Sequence, residues 1–180
     1  MVTRSYLMNL DCGRCPDGGD ARESILVKLF EHNRWANLRA IESCAGLTDA
    51  QLDATAPGTA GSVRDTLMHI AGAEQRYVMR LSARQVTYGE RDGWPGTERL
   101  RQAQAESGDA LIELAERADP DEMLRGESQG RPVALPVATV YVQAINHATE
   151  HRAQIATILT QQGVAPPDFS SWAWGTPAGG

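Results

Sequence analysis

A chain of 180 residues, 42% of them apolar, is long enough for one domain with a well-buried core and too apolar for a disordered segment. No run approaches the roughly 20 apolar residues of a membrane span, and the N-terminus lacks the apolar stretch and cleavage site of a secretory signal, so a cytoplasmic protein without a membrane partner is expected. Seventeen basic residues against 23 acidic ones give a net charge of −6, with the arginines scattered among acids, which argues against a surface built to neutralise nucleic-acid phosphates.

The first 20 residues place Cys12 and Cys15 as a C-x-x-C inside DCGRCPDGGD. One such pair is half of a structural zinc site, and no second half follows. A redox role would want a strand before it and a helix after it, whereas Pro16, Gly18 and Gly19 follow. Residues 1–20 are therefore expected to form a flexible tail and residues 21–180 a single domain. Cys44 makes the cysteine count odd, which is no disulfide framework.

From residue 21 to 47, Leu26, Leu29, Phe30, Ala36, Ala40, Ile41 and Cys44 recur at helical spacing, and Gly46 marks the end. Asn33 and Asn37 interrupt this stripe one turn apart; such a pair is either hydrogen-bonded in the core or faces an internal site. His32, near Trp35, reads as a rim residue. The linker LTDAQLDATAPGTAG has short helical potential, after which Ser62 is a good N-cap with Asp65 at N3. The second long helix runs over 63–82 with Leu67, Ile70, Val78 and Leu81 inside and His69 in its middle. Three glycines and a proline make 86–96 a loop. Thr97 caps a third helix whose inner face is Leu100, Ala103, Leu111, Leu114 and Ala118, and Asp119-Pro120 ends it. Residues 121–135 read as a second loop. Pro136 sits in the first turn of a fourth helix that runs to Gln162, with Gly163 as C-cap. No strand alternation is visible, so the fold expected is an all-α four-helix bundle. The tail PPDFSSWAW is expected to lie across it, anchored by Trp172 or Trp174.

His147 and His151 stand four apart in NHATEHRAQ, about 40° apart on one helix face, which lets two imidazoles converge on one ion. That spacing alone is weak, and a lone mid-helix His69 is more often a satisfied core residue. Together, three of the four histidines lie where neighbouring helices of a bundle meet at mid-height. Two readings stay open on the residues alone: a divalent-metal centre with three imidazoles and an open fourth position, or ordinary core histidines. Asp65, one turn before His69, is a candidate to orient an imidazole. Arg76, two turns after it, is a candidate to hold an anionic substrate group; both also read as surface charges. Gln154 shares the histidine face of the fourth helix. HATEH matches the H-x-x-E-H of inverted zinc peptidases, but the only acidic residue after His151 is Asp168, which does not complete that ligand set.

The stretches HNRWANLRAIESCAGLT, GSVRDTLMHIAGAEQRYVMRL and INHATEHRAQIATILTQQG, in this order over most of residues 22–164, resemble the DinB/YfiT-like family of metal-binding four-helix bundles. The resemblance rests on the W-A-N of the first helix, the single histidine of the second and the H-x-x-x-H-R-x-Q of the fourth. It implies a bundle with one long crossover connection and one divalent ion, nickel or zinc, held by His69, His147 and His151. It also implies a homodimer formed through helix faces. Relatives include transferases and isomerases that use a low-molecular-weight thiol such as mycothiol or bacillithiol, and others described only as metal-dependent hydrolases. On that reading the chain acts on a small-molecule substrate, with Asn33, Asn37, Arg76 and Gln154 positioning it. The alternative is a non-catalytic metal-binding or stress-response interaction module. One departure is Glu150, where relatives often carry a further histidine.

Overall fold

The computed structural model describes residues 24–85 and 87–176. The Cys12–Cys15 pair and the tail expected over residues 1–20 lie outside the described residues. Four long helices dominate: α1 (Ile25–Cys44), α3 (Val63–Ser82), α4 (Thr97–Glu116) and α5 (Val137–Gln161), with short helices α2 (Asp49–Leu52) and α6 (Ser171–Gly175). The expected four-helix bundle is thus present, and its helix ends have local causes. Ser24 Oγ accepts from Leu26 N to start α1, four residues later than the sequence pattern suggests. Ser62 and Asp65 form a full capping box at α3. Gly96, not Thr97, is the N-cap of α4. Gly163 follows α5 with φ of 71°, the left-handed geometry that ends a helix.

The apolar stripes close into two clusters. One gathers Ala40, Ile41, Val63, Leu67, Leu100, Ile155 and Leu159; the other gathers Phe30, Val78, Leu111, Leu114, Val140 and Tyr141. Each cluster takes the end of α1 and α5 that the other lacks, and the opposite ends of α3 and α4. Hence α1 and α5 run one way and α3 and α4 the other. α1 packs against α4 and α5, as does α3, so α1 and α3 face each other across a diagonal. The adjacent, parallel helices α3 and α4 need a connection running back along the bundle. A 20-residue helix is about 30 Å long, and the segment 83–96 can span about 45 Å at ~3.3 Å per residue. This is the long crossover, and Tyr88 and Trp94 pin it to the first cluster.

α1 and α4 approach closely at Gly108, where a Cβ would stand 2.6 Å from Cγ and 3.0 Å from Cβ of Arg34. The stem of Arg34 lies over the glycine while its Nε meets Asp109 Oδ1 at 2.7 Å. Gly108→Ala gains about 1 kcal/mol of helix propensity but forces Arg34 aside, and overpacking of this kind costs about 1–3 kcal/mol. A net loss of about 1 kcal/mol in chemical unfolding is the expected outcome; a gain would show that Arg34 repacks freely.

Further sequence expectations fail. Residues 121–135 are not a loop: β1 (Met123–Ser128) and β2 (Arg131–Pro136) pair antiparallel from Met123↔Pro136 to Ser128↔Arg131. Gln129 and Gly130 turn the hairpin with φ of 52° and 73°, the double positive φ of a type I′ turn. β2 is exposed along nearly its whole length, so its side chains needed no alternation. Leu29 is not an inner residue of α1 but 44% exposed. The C-terminal helix α6 packs on α1. His32 Nε2 stands 2.9 Å from the Phe169 carbonyl oxygen, and the Trp174 ring meets the His32 ring edge-on at 5.8 Å, whereas Trp172 is exposed. His32 is therefore a tail anchor and takes no part in the histidine cluster described below.

Candidate metal centre

α3 and α5 are neighbours with opposed directions, so the middle of one passes the middle of the other. His69 lies in the first half of α3, between Leu67 and Ile70, which are buried. His147 and His151 lie on either side of the middle of α5 and present their rings one turn apart. The three rings meet: centroids are 4.8 Å apart for His69–His147, 4.7 Å for His69–His151 and 4.4 Å for His147–His151. One nitrogen from each ring lies within 4.8 Å of the others. His69 Nε2 and His147 Nε2 are 2.9 Å apart. Two imidazole nitrogens that share a cation at ~2.0–2.1 Å each stand a little over 3 Å apart, so this pair already has about the right spacing. The widest pair must close somewhat by small ring rotations. Three imidazoles without a carboxylate form a donor set suited to a borderline-soft divalent ion such as zinc or nickel, and these residues fit such a group.

The surroundings of His147 favour a neutral, lone-pair-bearing ring. The His147 imidazole is pulled down to about 4 by burial first, then by His151, His69 and Arg76, with Glu90 opposing. It is therefore neutral at neutral pH, the form that ligates a metal. Each of the other two rings has a fixed partner on Nδ1. His151 Nδ1 stands 3.0 Å from Gln154 Oε1, and that oxygen also accepts from Ala60 N at 3.1 Å. An amide oxygen only accepts, so His151 donates from Nδ1 and leaves Nε2 for the centre. His69 Nδ1 stands 2.9 Å from Glu90 Oε1, and the same oxygen accepts from Arg76 Nη2 at 3.0 Å. Beside His69 opens a cavity of about 300 Å³ lined by Ala60, Asp65, Met68, His69 and Glu90. That is at the lower end of the range for small-ligand sites.

The five neighbours read from sequence divide. Gln154 touches a histidine directly, and Arg76 reaches one through Glu90. Asp65 does not orient an imidazole: its Oδ2 accepts from Ser62 N at 3.2 Å and from Ser62 Oγ at 2.7 Å. It is committed to its own helix cap and only lines the cavity. Arg76 is held by Glu90, not presented free to an anion. Asn33 and Asn37 do not face the centre at all. Both donate Nδ2 to Glu74 Oε1 at 2.7 Å, and both offer Oδ1 to Arg152 Nη1, at 2.8 Å from Asn33 and closer from Asn37. Glu74 Oε2 accepts from Gln104 Nε2 and from Ser107 Oγ. This belt joins α1, α3, α4 and α5 at mid-height between the two apolar clusters. Of the two roles open to the asparagines, the core hydrogen-bonded one is theirs. Glu150 is exposed.

Sequence reasoning missed Glu90, Glu74 and Arg152. Glu74 and Arg152 carried a legible signal. Glu74 follows Leu67 and Ile70 by seven and four residues, and Arg152 lies between Ala148 and Ile155, so both interrupt buried stripes. Glu90 carried none, because it reaches the histidine from the crossover and not from a helix face.

The family model described as "DinB family" matches residues 20–176. Among solved structures, the chain is similar to a DinB-like protein from Bacillus cereus, with a TM-score of 0.58 over 79% of this chain and 94% of that one. Their identity is 19%, so the likeness speaks for the fold. No match was found among curated proteins. Among the described residues, no helix is long and apolar enough to cross a membrane.

Proposed function

The chain belongs to the DinB family, and from that premise we propose that it is a metal-dependent enzyme acting on a small molecule through His69, His147 and His151. The observation that carries the reading is the convergence of three imidazole nitrogens beside a cavity of about 300 Å³. Three protein ligands leave a fourth position for water or a thiol, and a divalent ion there lowers the pKa of what it binds, making a nucleophile at neutral pH. The residues themselves do the rest of the work that geometry supports. Gln154 and Glu90 hold two rings by Nδ1, and Met68 and Ala60 supply an apolar wall. Asp65 and Glu90 place carboxylates at the mouth.

Nickel and zinc both suit this donor set, and a thiol-dependent transferase and a hydrolase both suit an open metal position. The test takes protein purified without a histidine tag, loads it with zinc or nickel, and measures metal per chain. Thiol-transfer panels with mycothiol and bacillithiol and hydrolytic panels follow. About one ion per chain and turnover that chelation abolishes is the expected result. One ion per chain without turnover on either panel leaves a non-catalytic metal-binding module, and no bound ion ends the proposal.

A further inference from the structure

We propose that Glu90 is the positioning residue of the three-histidine centre: it locks the ring orientation and tautomer of His69 so that Nε2, and not Nδ1, faces His147 and His151. The proposal rests on the metal-dependent reading for its consequence, although its geometry stands apart from it. A histidine ligand at the end of a flexible side chain has two nitrogens and two ring orientations, and a partner on the remote nitrogen selects one of each. Glu90 Oε1, 2.9 Å from His69 Nδ1, is such a partner, since a carboxylate oxygen accepts and the ring must donate.

Three further features show that Glu90 is delivered to this point and does not merely brush it. Gly72 lies one turn after His69 on α3. A Cβ there would stand 2.7 Å from Glu90 Cγ, 3.2 Å from its Oε1 and 3.3 Å from its backbone nitrogen. The crossover can press its backbone against α3 at this height because residue 72 has no side chain. Arg76, one turn further on, holds the same Oε1 at 3.0 Å, so the carboxylate is fixed from two sides. The approach to Glu90 is also tied down. Tyr88 is buried in the core cluster, and Thr87 N donates to Gln75 Oε1 at 3.0 Å while Gln75 Nε2 donates to Thr87 Oγ1 at 3.3 Å. α3 therefore supplies, on successive turns, the ligand, the gap, and the cation for one acidic residue that opens a 3-10 turn in the crossover.

The experiment compares wild type with Glu90→Ala, Glu90→Gln and Gly72→Ala. Nitrogen-15 NMR of the metal-free protein reads the His69 tautomer, and chelator competition reads zinc affinity. The expected wild-type state is Nδ1–H. Glu90→Ala is expected to give a mixture of tautomers and to weaken zinc binding about 10–100-fold, the usual cost of losing an outer partner of a metal-bound histidine. Glu90→Gln keeps an acceptor oxygen and should restore most of the Nδ1–H tautomer. Gly72→Ala leaves Glu90 chemically intact but displaces it, and should shift both readouts in the same direction as Glu90→Ala. If Glu90→Ala leaves the tautomer ratio unchanged and zinc affinity within about twofold, Glu90 is a surface acid and the assignment is wrong, whatever the melting temperature does. If wild type itself binds no zinc, the proposed function fails, and the tautomer comparison alone decides for or against Glu90.

Discussion

His147→Ala is expected to abolish metal binding while leaving the bundle folded. His147 meets both other rings, with its Nε2 2.9 Å from His69 Nε2 and its ring 4.4 Å from that of His151. Its loss leaves two imidazoles that other residues hold in place but that share no third donor. Loss of an outer partner costs about 10–100-fold in affinity, and loss of a ligand should exceed that range. The effect on stability has an informative sign. A ligand that binds only the folded state at 100 times its Kd stabilises by about 2.7 kcal/mol. Wild type should therefore melt higher when zinc is added and His147→Ala should not. Without metal the two should differ little, because burial first, and His151, His69 and Arg76 after it, hold the wild-type ring neutral. Thermal melts with and without zinc, beside elemental analysis, separate these cases. Stoichiometric metal in the variant would show that His147 is not a ligand.

Much of this was legible from residue order. The i,i+4 pair on α5 and the mid-helix position of His69 specify a meeting once the helices are known to pack, since helical periodicity fixes which faces turn inward. The four long helices followed from apolar stripes and from the glycine- and proline-bearing segments between them. The hairpin and Glu90 escaped because each depends on contacts between elements and not on a pattern within one. The hairpin over 123–136 is held by backbone pairing and exposes most of β2, so it imposed no alternation on its sequence; its one local cue was the Gln129-Gly130 turn. Glu90 owes its place to a missing side chain at residue 72. Helix spacing makes Asp65 a candidate to orient His69, but the shorter path to Ser62 takes its carboxylate.

Arg152→Met should be among the most destabilising single changes in the protein, and its pairing with Glu74 can be tested by a double-mutant cycle. Glu74 and Arg152 do not touch; Asn33 and Asn37 stand between them, amide nitrogens toward the carboxylate and amide oxygens toward the guanidinium. The polarity is consistent only with an acceptor on one side and a donor on the other. Burial pushes the Glu74 carboxyl up, and its Asn33, Ser107 and Gln104 donors and Arg152 pull it back; burial pulls Arg152 down to about 10, with Glu74 opposing. Removing one member of a buried charge pair costs about 3–5 kcal/mol, because the other is left uncompensated. Arg152→Met also strips two asparagine oxygens of their donor, so the upper half of that range is expected in urea unfolding. Glu74→Gln alone should cost less. Gln104 Oε1 has no partner and can accept from the new amide, but Arg152 then lacks its countercharge. The double variant should be more stable than the sum of the singles by at least ~1 kcal/mol, as expected for residues in one network. The pH dependence carries a sign as well. A carboxyl raised in the folded state favours folding when protonated and loses that advantage as pH rises through its folded value. Without Arg152 the carboxyl is raised further, so the penalty of Arg152→Met should shrink as pH falls toward the ordinary carboxylate range. A penalty that is flat with pH, or strictly additive in the double variant, would mean that the two asparagines do not couple the charges and that the belt acts only as four separate hydrogen-bonded packings.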